Sequence, residues 1–511
     1  MSILEPDGVT QLYRNACFNN PSWFSDVVVL PVAGSYTIVA NPNGPAIGTL
    51  DFALYTVPPD ATSSIATNGT SVSLTTTVPG QNFDLTFNGT AGQRISLATQ
   101  MDVSSPLEAG CSPLSILEPD GVTQLYYNSC FNNPSWFSDV VVLPVAGSYT
   151  IVANPNGSAV GKVNFALYTV PPDATSPISA NGTSVSLTTT VPGQSFDLVF
   201  NGTAGQRISL ATQMDVSSPL EAGCSPLSIL EPDGVTQLYN NSCFNNPSWF
   251  SDVVVLPVTG SYTIVANPNG SAVGTVSFTL YMVPSDATAT LSPGVTTSLT
   301  TTVPGENLSL SFSETVGHRF SLLTSFPVAC PFTVGVTAPD GSTQQSNNLY
   351  ACTSDFTGVV PIASPLTVAV PTLTQSGTYV ISLNPSGESI GTAQFTLYDV
   401  PADASGSMNI GDPAASYATT VPGQAARVSF TGSASQSVTI AVGETESTPS
   451  GGCYRITVLE PDGSTILRGD SSCNASYSSG SLTLPSAGSY TIVVSPTGTT
   501  IGTYSIGVTT P

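Results

Sequence analysis

The chain is poor in basic residues and has a single histidine. Lys and Arg together number 8 against 32 Asp and Glu, which gives a net charge of −24 at neutral pH. A chain this acidic is repelled by nucleic acid and by anionic membrane surfaces, so we expect neither as a partner. Charged residues of both signs make up only 8% of the chain. This composition is typical of exported β-proteins.

Long apolar runs are missing as well. The stretch from Val27 to Leu30 is interrupted at once by Pro31, and no other run approaches the length of a membrane span. We therefore expect no membrane-spanning segment. The first residues also lack the basic region and the apolar core of a secretory signal. Because the composition points to export, we expect one of three explanations: a start upstream of Met1 that carries the signal, a fragment of a longer repeat array, or a first module completed by a neighbouring subunit.

A repeat is the most prominent feature that the chain does have. The sequence Ser-Ile-Leu-Glu-Pro-Asp-Gly at residues 115–121 also begins at Ser2 and at Ser228, with a spacing of 113 residues, and looser copies contain Pro339 and Pro461. Proline-containing joints such as residues 57–61 separate the copies and favour a semi-rigid string. The predicted domains are residues 1–60 (the C-terminal half of a module), 61–173, 174–286, and the diverged copies 287–403 and 404–511.

The cysteines follow the repeat, which predicts one disulfide per full module. A bridge across a loop of about 20 residues stabilises a small domain by about 3 kcal/mol and indicates an oxidising compartment. Two cysteines per module with no histidine nearby do not complete a zinc site, so we expect no metal and no cofactor. Cys17 has no partner within the chain, so it is unpaired or intermolecular. The predicted pairs are Cys111 with Cys130, Cys224 with Cys243, Cys330 with Cys352, and Cys453 with Cys473.

Nearly every segment of a module alternates apolar and polar residues. Phe83, Leu85 and Phe87 share one face, and breaks such as Pro79-Gly80 carry turn-forming residues. No stretch has the apolar period of a helix. Short alternating segments joined by turns predict an all-β chain, a tandem array of antiparallel β-sandwich domains.

Three segments of each module carry a family resemblance. They are residues 87–97 (Phe-Asn-Gly-Thr-Ala-Gly-Gln-Arg-Ile-Ser-Leu), residues 143–152 (Leu-Pro-Val-Ala-Gly-Ser-Tyr-Thr-Ile-Val) and residues 161–168 (Gly-Lys-Val-Asn-Phe-Ala-Leu-Tyr). Together with the Pro-Asp-Gly turn they resemble the bacterial pre-peptidase C-terminal domain. The resemblance implies a jelly-roll-like sandwich, exported, and used as an accessory or repeated part of extracellular proteins.

Catalytic residues are not evident. The single histidine, His318, takes the place of Gln93 and Gln206 in the sister modules, which indicates a surface turn and not a general base. The recurrent acids Glu118 and Asp120 lie in or beside a turn, where Asp favours local backbone hydrogen bonds. We therefore predict that the protein is not an enzyme.

An aromatic loop follows the second cysteine in three copies and is replaced in the last two. Two interpretations stay open for it: the aromatic rings close the end of the sandwich, or they contact a ligand such as a sugar or a neighbouring module. The residues concerned are Trp23, Phe24, Trp136, Phe137, Trp249 and Phe250.

Asn-x-Ser/Thr sequences, which are acceptors for N-glycosylation in secreted proteins, occur nine times. Chance competes with this interpretation, because Asn-Gly-Thr turns are common in such a composition. The candidate sites are Asn68, Asn88, Asn156, Asn181, Asn201, Asn240, Asn269, Asn307 and Asn474.

Nearly identical modules joined by short proline-rich linkers add length without adding chemistry. This organisation predicts a structural protein of the cell surface or extracellular matrix, such as a fibre, stalk or adhesin, with self-association into a fibre or array. Two alternatives are a multivalent carbohydrate-binding protein, whose partner would be a polysaccharide, and the accessory tail of a secreted hydrolase.

Overall fold

The computed structural model describes residues 1–15, 23–42, 44–101, 111–131, 135–214, 224–242, 248–326, 332–349, 356–361, 373–449 and 451–511. Every regular element in this part of the chain is a β-strand. No helix that could cross a membrane is present in it. The predicted all-β fold is confirmed.

The half module has strands β1 (Ser2–Leu4), β2 (Gln11–Arg14) and β3 (Thr37–Val39). Module 1, residues 61–173, has β4 (Ala61–Ser64), β5 (Val72–Thr75), β6 (Phe83–Gly89), β7 (Arg94–Met101), β8 (Leu114–Leu117), β9 (Gln124–Asn128), β10 (Ser135–Phe137), β11 (Val141–Val142), β12 (Gly147–Ala153) and β13 (Lys162–Thr169). Module 2, residues 174–286, has β14 (Ala174–Pro177), β15 (Asn181–Thr188), β16 (Phe196–Gly202), β17 (Arg207–Met214), β18 (Leu227–Leu230), β19 (Gln237–Asn241), β20 (Ser248–Phe250), β21 (Val254–Val255), β22 (Gly260–Ala266) and β23 (Thr275–Met282).

Module 3, residues 287–403, has β24 (Ala287–Thr290), β25 (Thr296–Thr301), β26 (Leu308–Glu314), β27 (Phe320–Phe326), β28 (Phe332–Thr337), β29 (Thr343–Leu349), β30 (Phe356–Pro361), β31 (Gly377–Pro385) and β32 (Gly391–Asp399). Module 4, residues 404–511, has β33 (Ala404–Met408), β34 (Ala415–Ala418), β35 (Ala426–Gly432), β36 (Ser437–Thr448), β37 (Tyr454–Leu459), β38 (Ile466–Ser472), β39 (Ser476–Ser478), β40 (Leu482–Thr483), β41 (Gly488–Pro496) and β42 (Ile501–Thr509).

Each full module is a sandwich of two sheets. In module 1 one sheet has the order β4-β6-β12-β8-β9 and the other the order β10-β7-β13-β5, with β11 also paired to β7. Modules 2 to 4 repeat this order. Alternate residues of each strand point between the sheets, which is why period-two sequences form this fold.

One strand pair in each module is parallel. The first strand of module 1, β4, runs parallel to β6, and the same is true of β14 with β16, β24 with β26 and β33 with β35. The sequence predicted an antiparallel sandwich, and this pair is the exception within each module. The first strand, β4, follows the linker directly and pairs with β6. No hairpin connects these two strands, so they need not run antiparallel.

Four large hydrophobic clusters form the cores. They span residues 65–167, 178–280, 291–397 and 408–508, so each lies within one predicted module. In module 1, Leu85, Ile151 and Phe165 are fully buried between the two sheets. The apolar residues that recur at alternate positions in the sequence are therefore those buried from water between the sheets.

The Pro-Asp-Gly repeat forms the turn of a hairpin. Asp120, between β8 and β9, accepts hydrogen bonds from the backbone amides of Val122 (2.9 Å) and Thr123 (2.8 Å) and from the Thr123 hydroxyl (2.5 Å). These bonds, the hydroxyl first, lower the pKa of Asp120. Gly121 adopts a φ of 74°, which glycine reaches without steric cost.

Disulfides close the open ends of these hairpins. Cys111 bonds Cys130 around β8 and β9, and Cys453 bonds Cys473 around β37 and β38, as the repeat predicted. Cys224 is also disulfide-bonded. The residues Cys17, Cys243, Cys330 and Cys352 lie outside the described part, so their predicted states stay predictions.

Candidate functional site at the module junctions

The linker between modules 1 and 2 is held to the module that follows it. Asp173 Oδ1 accepts the backbone amide of Ser195 at 2.9 Å. The Gln194 side chain donates to the Pro172 carbonyl at 2.7 Å, while its own oxygen accepts the Thr190 amide at 3.0 Å. Side chains of the Val-Pro-Gly-Gln turn therefore fix the Pro-Pro-Asp linker in one conformation.

The same linker aspartate binds an arginine of the preceding module. Arg94, the first residue of β7, also donates to the Pro171 carbonyl at 3.2 Å. The arginine therefore spans the linker and restrains it from the side of module 1. Three junctions have this ion pair: Arg94 with Asp173 (2.8 Å), Arg207 with Asp286 (2.5 Å) and Arg319 with Asp403 (2.7 Å).

A serine two residues after each arginine contacts the next module directly. The Ser96 hydroxyl donates to the Pro192 carbonyl at 2.7 Å. The neighbouring Gly193 has a φ of 91°, and a Cβ there would lie 3.1 Å from the Ser96 Cβ. Glycine is thus required both by the turn and by the close approach of the two modules. The equivalent hydrogen bonds join Ser209 to Pro304 (2.7 Å) and Ser321 to Pro422 (2.6 Å).

A third contact uses an aspartate in a left-handed conformation. Asp139 has a φ of 57°, and its Oδ1 accepts the Val140 amide at 2.8 Å. Its Oδ2 accepts the side-chain amide of Asn267 in module 2 at 3.0 Å. The same bond joins Asn384 to Asp252 (2.7 Å) and Asn154 to Asp26 (3.2 Å).

We call these three contacts the junction clamp: the Arg–Asp ion pair, the Ser-to-Pro carbonyl hydrogen bond and the Asn–Asp hydrogen bond. Hydrogen bonds to charged groups contribute about 1.5–3 kcal/mol where water is excluded and less where it is not. Between modules 1 and 2 and between modules 2 and 3 all three contacts are present, and they join the modules at two separated points, the linker side and the Asn–Asp side. The clamp therefore opposes bending as well as rotation about the linker.

Module 4 has other residues at the three positions from which modules 1 and 2 clamp the module that follows them. Ser437 stands where Arg94 begins its strand, Thr439 stands for Ser96, and Gly480 (φ 61°) takes the left-handed position of Asp139. The Ser479 hydroxyl oxygen still accepts a hydrogen bond from the Ile440 amide of β36 (2.9 Å), as the Ser138 hydroxyl does from Leu97 in module 1, so the local fold is unchanged. The clamp residues are therefore required by the junctions and not by the sandwich.

A second carboxylate lies beside the linker aspartate in modules 1 and 2. Desolvation raises the pKa of Asp197, nearby Asp173 adds to the effect, and Arg94 opposes it. Desolvation and the charge of Asp60 raise the pKa of Asp84 in the same way, with no arginine among the causes. The clamp arginine thus also offsets repulsion between two acids.

In the described part of the aromatic loop, the tryptophan packs at the side of the sandwich. Trp136 lies on β10, is half-buried, and its ring centroid is 6.0 Å from that of Tyr126 on β9 and 6.2 Å from that of Phe131. The tryptophan therefore bridges the edge strands of the two sheets. The same arrangement pairs Trp249 with Tyr239 (5.9 Å) and Trp23 with Tyr13 (5.9 Å).

The phenylalanines next to these tryptophans are half-buried, and one of them reaches the next module. A Cβ on Gly80 of module 1 would lie 3.5 Å from Phe24 and 3.1 Å from Val27 of the half module. Phe137 and Phe250 pair with Ala98 and Ala211 on β7 and β17. The sugar-binding interpretation of the loop remains a prediction.

The remaining candidate residues lie on the surface, with one exception. His318 stacks on Phe320 and its Nδ1 lies 3.6 Å from Asp399. No group of three or more potential metal ligands occurs among the described residues. Asn307 is partly buried, and its Oδ1 is enclosed without a hydrogen-bond partner, so it is the least accessible of the nine predicted glycosylation sites. The exposed ones are Asn68, Asn88, Asn156, Asn181, Asn201, Asn240, Asn269 and Asn474.

Comparisons with known proteins give no family for the chain. No protein-family model and no curated protein matches it. The g-type lysozyme inhibitor PliG of Aeromonas hydrophila, a periplasmic protein, is 13% identical over 22% of this chain and 99% of that chain, with a TM-score of 0.16. The M60 catalytic domain of Clostridium perfringens ZmpB with its two CBM51 domains is 9% identical over 87% of this chain and 55% of that chain, with a TM-score of 0.20. Such values carry no argument about function, and the resemblance to the pre-peptidase C-terminal domain stays a prediction.

Reasoning from the sequence missed the junction clamp. Its signal was present, because Arg94, Ser96 and Asp139 recur in module 2 and are replaced together in module 4. The clamp positions are recognisable in the sequence as those at which module 4 differs from modules 1 and 2.

Proposed function

We propose that the protein is a structural component of the cell surface or extracellular matrix, a stalk, fibre or adhesin shaft built from clamped β-sandwich modules. The observation that carries the proposal is the junction clamp. Linkers of a flexible multidomain chain need no recurring contacts across them, whereas here the linker aspartates Asp173, Asp286 and Asp403 are each bound from both sides. A spacer requires such junctions, because bending at any of them shortens its reach.

Export is part of the same proposal. The disulfides around the hairpins of modules 1 and 4 form in oxidising compartments and are rare in the cytosol. The net charge of −24 and the low content of charged side chains suit a protein exposed to the medium.

Loosening one junction tests the proposal. Arg207→Ser combined with Asp252→Gly gives module 2 the residues that module 4 has at these positions, so the sandwich itself should stay folded. We expect the clamp between modules 2 and 3 to open and the maximum dimension in small-angle X-ray scattering to fall with a broader distance distribution. The control is Arg468→Ser, which removes an exposed arginine from an ion pair within one hairpin of module 4 and leaves Asp470 bound to Tyr477.

An unchanged scattering profile for the junction variant would show that the clamp does not set the length of the protein. Electron microscopy of the native material provides a second readout, with rods or fibres expected. Flexible single molecules with no assembly would contradict the structural role. Glycan binding that disappears in Trp136→Ala with Trp249→Ala would favour the carbohydrate-binding alternative instead.

A further inference from the structure

The loop between β22 and β23 of module 2 carries one of the contacts with module 1. Asn267 in this loop donates its side-chain amide to Asp139 at 3.0 Å, the third contact of the junction clamp. The corresponding loop of module 3 touches module 2 at a further point, where the Tyr281 hydroxyl donates to Glu388 at 2.7 Å. The conformation of this loop therefore decides whether the clamp asparagine reaches its partner.

An Asn-Gly pair forms the turn of the loop in module 2. The Ala272 amide donates to the Asn269 carbonyl at 3.2 Å, and the Asn269 amide donates to the Ser225 hydroxyl at 3.0 Å. Gly270 adopts a φ of 59°. The Asn269 side chain is exposed, and neither it nor the Gly270 amide has a hydrogen-bond partner among the described residues. The glycine nitrogen is thus free to react with the side-chain amide beside it.

Other Asn-Gly pairs of the chain are held more firmly. The Gly69 amide donates to the Leu167 carbonyl at 2.8 Å, and Asn68 Oδ1 accepts the Thr70 amide at 3.0 Å. Asn88 and Gly89 lie within β6 and pair with β12, so the strand would have to open before the pair could react. Two further pairs are Asn201-Gly202 within β16 and Asn181-Gly182, whose Oδ1 accepts the Thr183 amide at 2.9 Å.

The turn itself does not depend on an asparagine. In module 3 the Ser389 amide donates to the Ser386 carbonyl at 3.3 Å, and Gly387 has a φ of 60°. In module 4 the Thr500 amide donates to the Thr497 carbonyl at 3.2 Å. The same turn therefore forms with side chains that carry no amide.

We propose that Asn269 of module 2, and Asn156 at the same turn of module 1, deamidate spontaneously in the folded chain, and that conversion of Asn269 loosens the junction between modules 1 and 2. This inference goes beyond the proposed function, since the reaction depends on the turn and not on what the array carries.

The reaction needs only water. The Gly270 nitrogen loses its proton to hydroxide and attacks Cγ of Asn269, an approach that the missing Cβ of glycine leaves open. The new bond between nitrogen and Cγ closes a five-membered succinimide. The bond from Cγ to Nδ2 breaks, and the departing nitrogen takes a proton from water and leaves as ammonia. Water then opens the ring at either of its two carbonyl carbons, which gives aspartate or isoaspartate.

Both products disturb the contact with module 1. Isoaspartate routes the backbone through the side chain, so the loop gains a carbon atom between residues 269 and 270. Either product adds a carboxylate two residues from Asn267, which has to reach the carboxylate of Asp139. The bond from Asn384 to Asp252 between modules 2 and 3 follows a turn with Ser386 and keeps its strength.

Peptide mapping by mass spectrometry tests the reaction. The full chain, expressed without glycosylation so that its asparagines keep free amides, is incubated in mildly alkaline buffer, and a urea-unfolded sample is the control. In the folded chain we expect Asn269 and Asn156 to convert about tenfold faster than Asn68, because the Gly69 amide must first break its hydrogen bond. The three rates should converge in urea. Equal rates in the folded chain, or no conversion of Asn269, overturn the proposal.

Hydrogen exchange tests the effect on the junction. Asp139 binds the Val140 amide at 2.8 Å, and Asp252 binds the Val253 amide at 2.7 Å. After incubation we expect exchange at Val140 to be about tenfold faster, as the loss of one hydrogen bond to a charged group allows. Exchange at Val253 should keep its rate. Unchanged exchange at Val140 in a chain converted at Asn269 contradicts the loosening.

A matched pair of variants assigns the effect to one turn. Asn269→Ser gives module 2 the residue that module 3 has at this turn, so we expect it to fold and to keep slow exchange at Val140 throughout the incubation. Asn156→Ser removes the other reactive asparagine and should leave the acceleration at Val140 as in the wild type. If Val140 accelerates equally in both variants, conversion of Asn269 is not its cause and the proposal is wrong.

Discussion

At the scale of single residues, the linker aspartates differ in how much water reaches them. Asp403 is 8% exposed and is bound by both Arg319 and Arg427, whereas Asp286 is 35% exposed and is bound by Arg207 alone. Water screens an ion pair, so the same pair contributes more when it is enclosed. The third junction is therefore the most dependent on its carboxylate.

Removing these carboxylates should separate the two cases. Asp403→Ala leaves the mostly buried Arg319 without a counter-charge, and we expect a loss of about 3 kcal/mol. Asp286→Ala should cost about 1 kcal/mol, because water replaces much of the lost contact. Native-state hydrogen exchange measures these losses in the intact chain, with the amides of β35 reporting on module 4 and those of β26 on module 3. Equal losses at both sites would contradict the role assigned to burial.

The turn aspartates give a prediction about pH. The Thr465 hydroxyl, followed by the Ser464 and Thr465 amides, lowers the pKa of Asp462 to about 2. A carboxyl whose pKa is lowered by folding stabilises the hairpin above its unfolded pKa of about 3.9, and that contribution is lost as the pH falls toward 2. NMR titration of the Asp462 carboxyl should show the low value. In Thr465→Val the pKa should rise toward the ordinary range, and in Ser464→Ala, which keeps the backbone donor, it should change less.

At the scale of elements, the hairpin and its disulfide form one unit. The bridge between Cys453 and Cys473 closes a loop of about 20 residues around β37 and β38. Replacing both cysteines by alanine should lower the stability of module 4 by about 3 kcal/mol through the entropy of the unfolded chain. This loss of stability is measured by hydrogen exchange of the β37 amides during thermal unfolding. Reduction of the wild-type chain should give the same loss in β37, and a variant that matched the oxidised wild type would refute the estimate.

The strands show which parts of the fold could be predicted from the sequence and which could not. Period-two segments such as residues 83–87 became β-strands, because alternate side chains must be buried between two sheets. The parallel pairing of β4 with β6 was not predictable from turn residues, since no hairpin connects them. Residues 49–56 have the same apolar pattern as β13 and form no strand, because a strand also requires neighbours to pair with.

At the scale of the whole molecule, repetition predicted the modules but not how they are joined. The period of 113 residues and the cysteine spacing indicated sandwich units with their own bridges, as observed for Cys111 with Cys130. The junction clamp depends on which surfaces of successive modules meet. That information lies in three-dimensional contacts between residues such as Asp139 and Asn267, which are 128 positions apart.

The left-handed aspartates have a consequence for how the array unfolds. Asp139 and Asp252 hold a backbone conformation that is sterically unfavourable for a side chain, at a cost on the order of 1 kcal/mol that the neighbouring module's asparagine helps to offset, together with the aspartate's own bond to the next backbone amide. A module whose neighbour has melted keeps the strain and loses the bond. Each melted module therefore weakens the one before it, so under heat or tension unfolding should propagate along the array in cooperative steps and not as independent events.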